Sequence, residues 1–377
     1  MSRVKFGDVV KDVKINIDRL NNPYEYYVAG DHMDSEDLTI HRKGCFTTDD
    51  VGPAFIRVFK PGQILYGSRR TYLKKIAVAD FEGVCANTTF VFETKDPHAF
   101  EQRLLPFIML SKDFTTWSIA KSKGSTNPYV LFSDLADFEF ELPPLEEQKV
   151  LVDKLWAAYR LKEAYKKLLV ATDEMVKSQF IEIFYGMETT PVKDYIDDSF
   201  PGEWGTEDKD GNGVKVIRTT NFTNSGKLNL ADVVTRSIED RKVVRKQIKK
   251  YDTILERSGG TADNPVGRVV LFEEDNLFLC NNFTQVLRFK DVDPRFAFYA
   301  LYYFYQTNRT AIRSMGSKTT GIQNLNMSKY WEIGIPNASD EDQKAFVTIA
   351  EQADKSKFEL KQCIENIDKV IKSLING

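Results

Sequence analysis

Two short segments of this chain carry side chains that suit contact with a nucleic acid. Residues 68–75 and 257–268 are both basic, rich in hydrogen-bonding groups and bounded by strand-like sequence. Arginine and lysine can donate to O6 and N7 of guanine, whereas hydroxyls and lysine can bind phosphate oxygens. A solvated surface loop is the alternative interpretation for any one of these residues. The candidate contact residues are Arg69, Arg70, Tyr72, Lys74 and Lys75 in the first segment and Arg257, Ser258 and Arg268 in the second.

A second type of segment combines glycine, hydroxyls and lysine, which suits a clip for a phosphate group. It occurs at residues 121–126 and again at residues 314–320. Its candidate phosphate contacts are Lys121, Lys123, Ser125, Thr126, Lys318 and Thr319, and Arg218, Asn221 and Gln323 complete the set of predicted nucleic-acid contacts.

Both types of segment recur because the chain contains an internal repeat with a period of about 190–195 residues. Residues 84–90 return as residues 279–285, and Gly124-Ser125-Thr126 returns at residues 316–319. Glu146-Glu147-Gln148, which opens a long charged helix, returns as Glu341-Asp342-Gln343. The shared order of these motifs predicts one globular head followed by one helix, duplicated.

Each head is predicted to mix short strands with short helices. Strand-like sequence occurs at residues 63–66, 76–79 and 88–92 in the first head and at 214–217, 253–256, 269–272 and 285–289 in the second. The aromatic stretch at residues 296–305 is too short to cross a membrane and is predicted to be a core-facing helix. The predicted fold class is therefore α+β, with two similar heads separated by two long helices.

The two long helices have recognisable ends. Residues 145–185 contain no glycine or proline, Pro143 and Pro144 precede them, and Gly186 suits a C-terminal stop. Ser339 is a predicted N-cap of the second helix, with Asp342 three residues later. The predicted domains are a first head at 1–144, a central helix at 145–186, a second head at 187–338 and a C-terminal helix at 339–377.

Apolar residues at a 3–4 spacing along the C-terminal helix predict a coiled-coil seam, and the repeat offset transfers this seam to the central helix. Antiparallel pairing would relate the two heads by a pseudo-twofold axis, which suits a bipartite target on a duplex. The alternative is that each helix packs only on its own head. The predicted seam consists of Leu151, Ala158, Leu161, Leu168, Met175, Phe346, Ile349, Ala353, Leu360, Ile367, Val370 and Leu374.

The sequence lacks the residue patterns of an enzyme. It contains no GxxxxGK[ST] phosphate loop, and its three histidines all lie in the first head, so no histidine site is duplicated. Asn127-Pro128-Tyr129 only superficially resembles a methyltransferase motif, because the second proline is missing. The four cysteines are scattered and are predicted to be thiols in a reducing cytoplasm. We therefore predict no catalytic residue, no metal site and no membrane segment.

Several of these motifs together resemble the DNA specificity subunits of Type I restriction–modification enzymes. The resemblance rests on Leu142-Pro143-Pro144-Leu145-Glu146-Glu147-Gln148 and Gly124-Ser125-Thr126, supported by residues 66–77 and 83–85. The two-head, two-helix plan covers essentially the whole chain. The second copy departs from the pattern at residues 335–343, where one proline is missing.

The resemblance implies that each head is a target-recognition domain that reads one half of a bipartite site in double-stranded DNA. It also implies that the helices space the heads and dock two methyltransferase subunits. S-adenosylmethionine, ATP and Mg²⁺ would then be held by those subunits and by restriction/translocase subunits, with no cofactor in this chain. A net charge of −3 agrees with a subunit that holds DNA together with partners.

Two other functions remain open from the sequence. The chain could be a coiled-coil adaptor that binds only proteins. It could also be the specificity subunit of a fused methylase–nuclease, since that difference lies in the partner. DNA binding with and without a methyltransferase subunit distinguishes an adaptor from a specificity subunit.

Overall fold

The computed structural model describes residues 2–18, 21–261, 263–319 and 322–376, with the side chains of Lys318 and Thr319 left out of the description. The chain forms two compact units. The first comprises Met1–Leu168 and Glu359–Gly377, and the second comprises Leu169–Phe358. Each unit contains one head and a segment of each long helix. Along the described part of the chain, no helix is both long enough and apolar enough to cross a membrane.

The first head and the helix that follows it contain ten strands and five helices among the described residues, together with short 3-10 turns at Thr71–Leu73 and Gln102–Leu104. In chain order they are β1 (Ser2–Lys5), α1 (Phe6–Val9), β2 (Val10–Asp12), β3 (Tyr26–Val28), β4 (Gly44–Cys45), β5 (Phe55–Phe59), β6 (Ile64–Gly67), β7 (Ile76–Val78), β8 (Gly83–Ala86), β9 (Thr89–Thr94), α2 (Leu105–Leu110), α3 (Lys112–Ala120), α4 (Phe132–Ala136), β10 (Glu139–Leu142) and α5 (Leu145–Phe184).

The second head and its helix have a similar series of elements, with 3-10 turns at Val192–Tyr195 and Thr219–Asn221. In chain order they are β11 (Thr189–Pro191), β12 (Ile196–Pro201), β13 (Thr206–Glu207), β14 (Val214–Ile217), β15 (Val234–Ser237), α6 (Asp240–Lys246), β16 (Thr253–Glu256), β17 (Ser258–Gly259), β18 (Val269–Leu271), β19 (Phe278–Cys280), β20 (Thr284–Phe289), α7 (Pro294–Thr307), α8 (Arg309–Met315), β21 (Gly316–Thr319), β22 (Ile322–Leu325), α9 (Met327–Tyr330), β23 (Gly334–Pro336) and α10 (Asp340–Asn376).

One four-stranded sheet is the same in both heads. Its strand order is β2-β9-β6-β7 in the first and β12-β20-β16-β18 in the second, and every pairing is antiparallel. The predicted strands of these sheets are confirmed, with boundaries that differ from the prediction by at most two residues. The internal repeat and the α+β class are confirmed with them.

The second sheets of the two heads differ at both edges. In the first head the order is β4-β3-β8-β5, and in the second it is β13-β15-β14-β19. The parallel pair β3–β8 corresponds to the parallel pair β14–β19. The first head adds β5 beside β8, and the second head adds β13 beside β15. The second head has the helix α6 between β15 and β16, where the first head has β5 between β4 and β6.

Aromatic side chains fill the core of each unit, and their contacts join the head to the long helices. Phe6, Phe92 and Phe114 lie at the centre of the first unit and are fully buried. In the second unit Phe180 and Phe184 of α5 pack against Phe296 and Phe346, with ring centroids 4.9–6.0 Å apart across the two pairs of helices. The predicted core helix at residues 296–305 is confirmed as the middle of α7, most of which is buried.

Within each unit the segments of α5 and α10 run antiparallel. In the first unit Lys162 Nζ lies 2.6 Å from Asp368 Oδ1, and Tyr159 and Ile371 share one core cluster. In the second unit Lys357 Nζ lies 2.6 Å from Asp173 Oδ1, and the Phe184 and Phe346 rings are 5.7 Å apart. Residues of increasing number along α5 therefore contact residues of decreasing number along α10.

The helix ends follow from the sequence. After α5, Gly186 has φ +81°, which a residue with a Cβ rarely adopts, and the Met187 amide donates to the Phe184 carbonyl at 3.3 Å. At the start of α10 the Asp342 amide donates to Ser339 Oγ at 3.2 Å, so the predicted N-cap is confirmed.

The predicted seam lies only partly on the buried face of the helices. Leu161, Leu168, Met175 and Val370 are 45–52% exposed, and the buried line of α5 lies one residue further along the chain. Phe346 and Ala353 are buried as predicted, and Leu151, Ala158, Ile349, Leu360, Ile367 and Leu374 are half-buried. The buried line runs through Gln148, Val152, Leu155, Tyr159, Val176, Phe180 and Phe184 in α5 and through Gln343, Val347, Ala350 and Ile371 in α10.

Candidate nucleic-acid interface

Hydrogen bonds join the two candidate segments of the first head into one strip. We use the name first strip for residues 68–70, 123 and 128–130. The Val130 amide donates to the Ser68 carbonyl at 2.9 Å, and the Arg70 amide donates to the Pro128 carbonyl at 2.6 Å. Tyr129 and Lys123 exchange both backbone hydrogen bonds, at 2.8 and 2.9 Å. The basic loop and the phosphate-clip loop thus form a single surface.

The second head has a matching strip, the second strip, in which β17 pairs with β22 and β22 pairs with β21. The Leu325 amide donates to the Arg257 carbonyl at 2.8 Å, as Val130 does to Ser68. Ser258 lies opposite Asn324, which in turn lies opposite Ser317. Both heads therefore bring their two candidate segments together in the same three-segment arrangement.

The first strip exposes two arginines. Arg69 and Arg70 are exposed, and within the described chain no carboxylate forms an ion pair with either of them. Tyr72 is 53% exposed beside them. Arg70 and Lys74 flank the 3-10 turn with φ of +52° and +47°, a left-handed conformation that costs on the order of 1 kcal/mol per residue. The turn therefore presents these side chains in a fixed, strained loop.

The other predicted contacts of the first head are partly engaged. Lys74 Nζ lies 2.5 Å from Glu36 Oε1, and Lys75 Nζ donates to the Gly30 carbonyl at 2.5 Å. Lys123 Nζ lies 2.9 Å from Asp134 Oδ2, and Lys121 Nζ lies 4.7 Å from the centre of the Trp117 ring. Ser125 and Thr126 are exposed. Among the basic residues of this set, Arg69 and Arg70 are thus the ones whose side chains remain free to contact a ligand.

In the second strip the basic residue is displaced by one position. The hydrogen bonds align Arg257 with Ser68 and align Ser258 with Arg69. Successive residues of a strand point to opposite faces, so Arg257 does not take the place of Arg69. Arg257 is half-buried with Nη1 3.5 Å from Gln285 Oε1, and the buried Ser258 hydroxyl donates to Asn324 Oδ1 at 2.7 Å. This corrects the expectation that the two basic segments are equivalent.

Arg268 and Asn221 are engaged in the fold, which corrects the expectation that they are free for a nucleic acid. Arg268 donates from Nε and Nη2 to the two carboxylate oxygens of Glu256, at 2.7 and 3.1 Å, and the Glu256 side chain is 2% exposed. Asn221 is 4% exposed, and its amide nitrogen donates to the carbonyls of Asn229 and Asp232. Removing the Arg268 side chain would leave the buried Glu256 carboxylate without its charged partner.

The remaining predicted contacts of the second head divide into two groups. Arg218 Nη2 lies 3.2 Å from Asp232 Oδ2, and Gln323 is half-buried in β22. The predictions for Lys318 and Thr319 concern side chains that lie outside the described residues.

One group of acidic and histidine side chains has the geometry of a metal site but contains a lysine. Ligand atoms of Asp37, His41 and Glu163 lie within 4.8 Å of one another in the described chain. Lys166 Nζ lies 2.9 Å from Asp37 Oδ2 and 2.8 Å from Glu163 Oε1, so the group already has a positive charge between its carboxylates. We interpret it as a polar anchor of α5 on the first head.

The four cysteines are free thiols. Burial raises the pKa of Cys85 to about 12 and that of Cys280 to about 11. Cys85 and Cys280 occupy equivalent strands, β8 and β19. They pack as small apolar residues and are too weakly acidic to serve as nucleophiles.

Sequence reasoning missed the side chains that tie the helices to the heads. Gln148 is fully buried, accepts a hydrogen bond from the Glu101 amide at 2.9 Å and donates to the carbonyls of Ala99 and Pro143. Gln343 accepts from the Asp293 amide at 2.9 Å and donates to the Ala338 carbonyl. Their repetition in the Glu-Glu-Gln and Glu-Asp-Gln motifs was the available signal.

Comparison with known proteins agrees with this duplicated arrangement. The model of the family described as Type I restriction modification DNA specificity domain matches residues 19–169 and again residues 199–369. The chain belongs to this family. Its two matches fall one on each copy of the internal repeat, so each head with its helix corresponds to one specificity domain.

Members of related systems resemble this specificity-domain protein in sequence and in fold. The Type I restriction enzyme EcoDI specificity subunit of Escherichia coli is 25% identical over 194 residues, which cover 49% of this chain and 42% of that protein. The chain thus matches less than half the length of this curated relative. The Type I restriction-modification S subunit of M. genitalium is 13% identical with a TM-score of 0.54, covering 99% of this chain and 94% of that one.

A third likeness is to a chain from a structural study of complex assembly and conformational transition of the type I R-M system. It is 17% identical, with a TM-score of 0.58, and the match covers 99% of this chain and 96% of that chain. At these identities both solved structures establish a common fold.

Proposed function

We propose that this chain is the non-catalytic DNA-recognition subunit of a Type I restriction–modification complex, with each head reading one half of a bipartite site. The observation that carries the proposal is the recurrence of the three-segment strip in two family-matched heads. The first strip offers exposed arginines, whose guanidinium groups suit hydrogen bonding to guanine or to phosphate.

The exposed face of the long helix α5 indicates that the chain binds protein partners in addition to DNA. Its outward face carries apolar residues at a coiled-coil spacing, among them Val150 at 57%, Leu161 at 45% and Met175 at 49% exposure. Apolar side chains in a line on an exposed helix mark a surface for another helix. We infer that two methyltransferase subunits dock on the helices. S-adenosylmethionine would bind to these subunits, ATP and Mg²⁺ would bind to the restriction/translocase subunits, and the complex would act in the cytoplasm, where the DNA is.

The same apolar face is also compatible with the adaptor and the fused-enzyme alternatives, because both of them require a protein partner. They differ from the proposal in what the heads bind or in how the partner is built. If the chain were an adaptor, substitutions in the heads would not change which DNA motifs are methylated in the cell.

Methylated-base sequencing of the whole genome tests the proposal, because it finds a methylated motif of any sequence. Loss of the chain from its native cells should abolish one bipartite methylated motif. Arg69→Ala or Arg70→Ala should relax one or two positions in one half of that motif, since one lost base contact costs about 1–3 kcal/mol of discrimination. Lys60→Ala is the control, because Lys60 is exposed in the same head but lies outside the first strip.

Two outcomes count against the proposal. A genome with no methylated motif that depends on this chain removes the DNA-recognition function. Relaxation of both motif halves by a substitution in the first strip removes the assignment of one half-site to each head.

A further inference from the structure

The second head carries a short, strongly basic helix outside the second strip. This helix, α6 (Asp240–Lys246), has the sequence DRKVVRK, and two more lysines follow it closely. The positively charged residues of this segment are Arg241, Lys242, Arg245, Lys246, Lys249 and Lys250.

The positive charges of α6 lie on two faces with different environments. Lys242 and Lys246 are four residues apart and therefore share a face, where their ammonium groups lie 3.5 and 3.0 Å from the Glu203 carboxylate. Arg241 and Arg245 share the neighbouring face. Both are exposed, and neither forms an ion pair with any described residue. One face thus fastens the helix to the head, and the other presents its charges to solvent.

A short series of hydrogen bonds connects α6 with the second strip. Lys246 Nζ donates to the Gly202 carbonyl at 3.3 Å, and the Gly202 amide donates to the Thr284 carbonyl at 3.1 Å. The preceding residue, Phe283, accepts from the amides of Arg257 and Ser258 at 2.8 and 3.0 Å. The exposed charges of α6 are therefore borne by an element anchored beside the second strip.

The first head has no basic helix at the corresponding point of the repeat. The strand β5 occupies that segment, and its Arg57 is paired with the buried Asp12 at 2.9 Å. The turn before β5 carries Asp49 and Asp50. Residues 49–60 of the first head carry two acids and two bases, whereas residues 240–250 of the second head carry one acid and six bases.

We propose that Arg241 and Arg245 bind phosphates of the DNA backbone beside the half-site of the second head. This inference rests on the proposed function. One turn of helix places Arg241 and Arg245 about 6 Å apart along the axis, so both can contact one strand of a duplex. Phosphate contacts carry no sequence information. They fix the position of the second head, which exposes fewer free arginines on its strip than the first head does.

The salt dependence of duplex binding tests this assignment, and the duplex need not contain the target site. The full chain is titrated with a random-sequence 40-bp duplex between 25 and 200 mM salt. Each phosphate contact contributes about 0.9 to the slope of log K against log[salt], so Arg241→Ala/Arg245→Ala should flatten the slope by about 2. Affinity at 100 mM salt should fall by a factor on the order of tens.

Two variants make the result specific. Arg241→Lys/Arg245→Lys should keep most of the wild-type slope, because a phosphate requires charge rather than a planar fork. Lys344→Ala/Lys355→Ala removes two exposed charges from α10 of the same unit and should leave the slope unchanged. Both arginine side chains are exposed, so the thermal midpoint of each variant should match the wild type.

An unchanged slope in Arg241→Ala/Arg245→Ala, or an equal loss of slope in the α10 control, overturns the inference. Absence of duplex binding by the wild-type chain at 25 mM salt also overturns it. The proposed function is tested separately, because it is contradicted by the absence of a methylated motif that depends on the chain. The change in salt slope can still be observed in that case.

Discussion

The Lys162 ammonium lies 2.6 Å from the Asp368 carboxylate, and Lys357 lies 2.6 Å from Asp173 in the other unit. Lys357 follows Lys162 by 195 residues, and Asp368 follows Asp173 by the same interval. The two ion pairs are therefore copies of one contact with the helices exchanged. An antiparallel pair of duplicated helices produces this exchange. The lysine of each helix pairs with the aspartate of the other helix, and the repeat relates the two lysines to each other and the two aspartates to each other.

The ion pairs should contribute to stability in a way that a charge swap can restore. The Lys162 side chain is 12% exposed, so Asp368→Lys places two like charges together in a partly buried site. We expect the free energy of unfolding to fall by about 2 kcal/mol. The double variant Lys162→Asp/Asp368→Lys should recover most of this loss in urea denaturation. A double variant as unstable as the single one would show that the pair makes no direct contribution.

Gln148 should be the most sensitive polar residue at the start of α5. Gln148→Ala leaves the Glu101 amide and the Ala99 and Pro143 carbonyls without their partner, so we expect a loss of about 2–4 kcal/mol. Glu147→Ala, one residue earlier and exposed, is the matched control and should change stability by less than about 0.5 kcal/mol. Equal stability of the two variants in chemical denaturation contradicts the anchoring role of Gln148.

Arg268 should behave as a structural residue. Arg268→Ala leaves the Glu256 carboxylate buried without its partner, which costs about 3–5 kcal/mol. Glu256→Gln/Arg268→Met replaces both charges and should be considerably more stable than Arg268→Ala alone. Thermal unfolding of the three proteins provides the measurement. An Arg268→Ala protein with wild-type stability and altered DNA preference would restore Arg268 as a reader of bases.

The polar anchor at Asp37 should make the first unit sensitive to acid. Burial raises the pKa of Asp37, but hydrogen bonds from Tyr159, the Thr39 amide and Lys166 outweigh it and lower the pKa from 3.8 to about 2. A lowered pKa stabilises the fold above the unfolded value and loses that effect as the pH falls through the folded value. We expect a loss of about 2 kcal/mol between pH 4 and pH 2.

This pH effect can be isolated from the rest of the molecule. His41 and Glu163 also face Asp37, so the comparison is between the wild type and Asp37→Asn, in which these neighbours are unchanged. Replacing Trp204 and Trp331 by phenylalanine in both proteins leaves the fluorescence of Trp117 and Trp156, which belong to the first unit. The urea midpoint should depend less on pH in Asp37→Asn. An equal dependence in both proteins would place the acid-sensitive group elsewhere.

Local sequence was sufficient for the elements and their ends. Strands such as Val214–Ile217 and Thr253–Glu256 were predictable because β-branched and apolar residues cluster between turn residues. The ends of α5 and α10 were predictable because proline, Gly186 and Ser339 act on the backbone next to them. The repeat was visible because both copies kept their motifs in order.

The phase of the helix pair was not available from local sequence. Helix α5 has an apolar line through Leu161 and Met175 and a second line through Val152 and Val176, one residue further along. The buried line also contains Lys162, whose side chain is 12% exposed and which a search for apolar periodicity counts as polar. Its tertiary partner, Asp368, makes that position suitable for burial, so periodicity selected the exposed line.

The availability of the candidate contacts was likewise decided by tertiary structure. The sequence determined that both heads carry basic segments, and it placed Arg69 and Arg268 among them. It could not indicate that the Arg268 guanidinium forms an ion pair with a buried carboxylate while the Arg69 guanidinium remains exposed. Arg268 meets Glu256 on a neighbouring strand, whereas Arg69 meets no such partner among the described residues. Residue type determines which contacts are possible, and the folded environment determines which of them are already made.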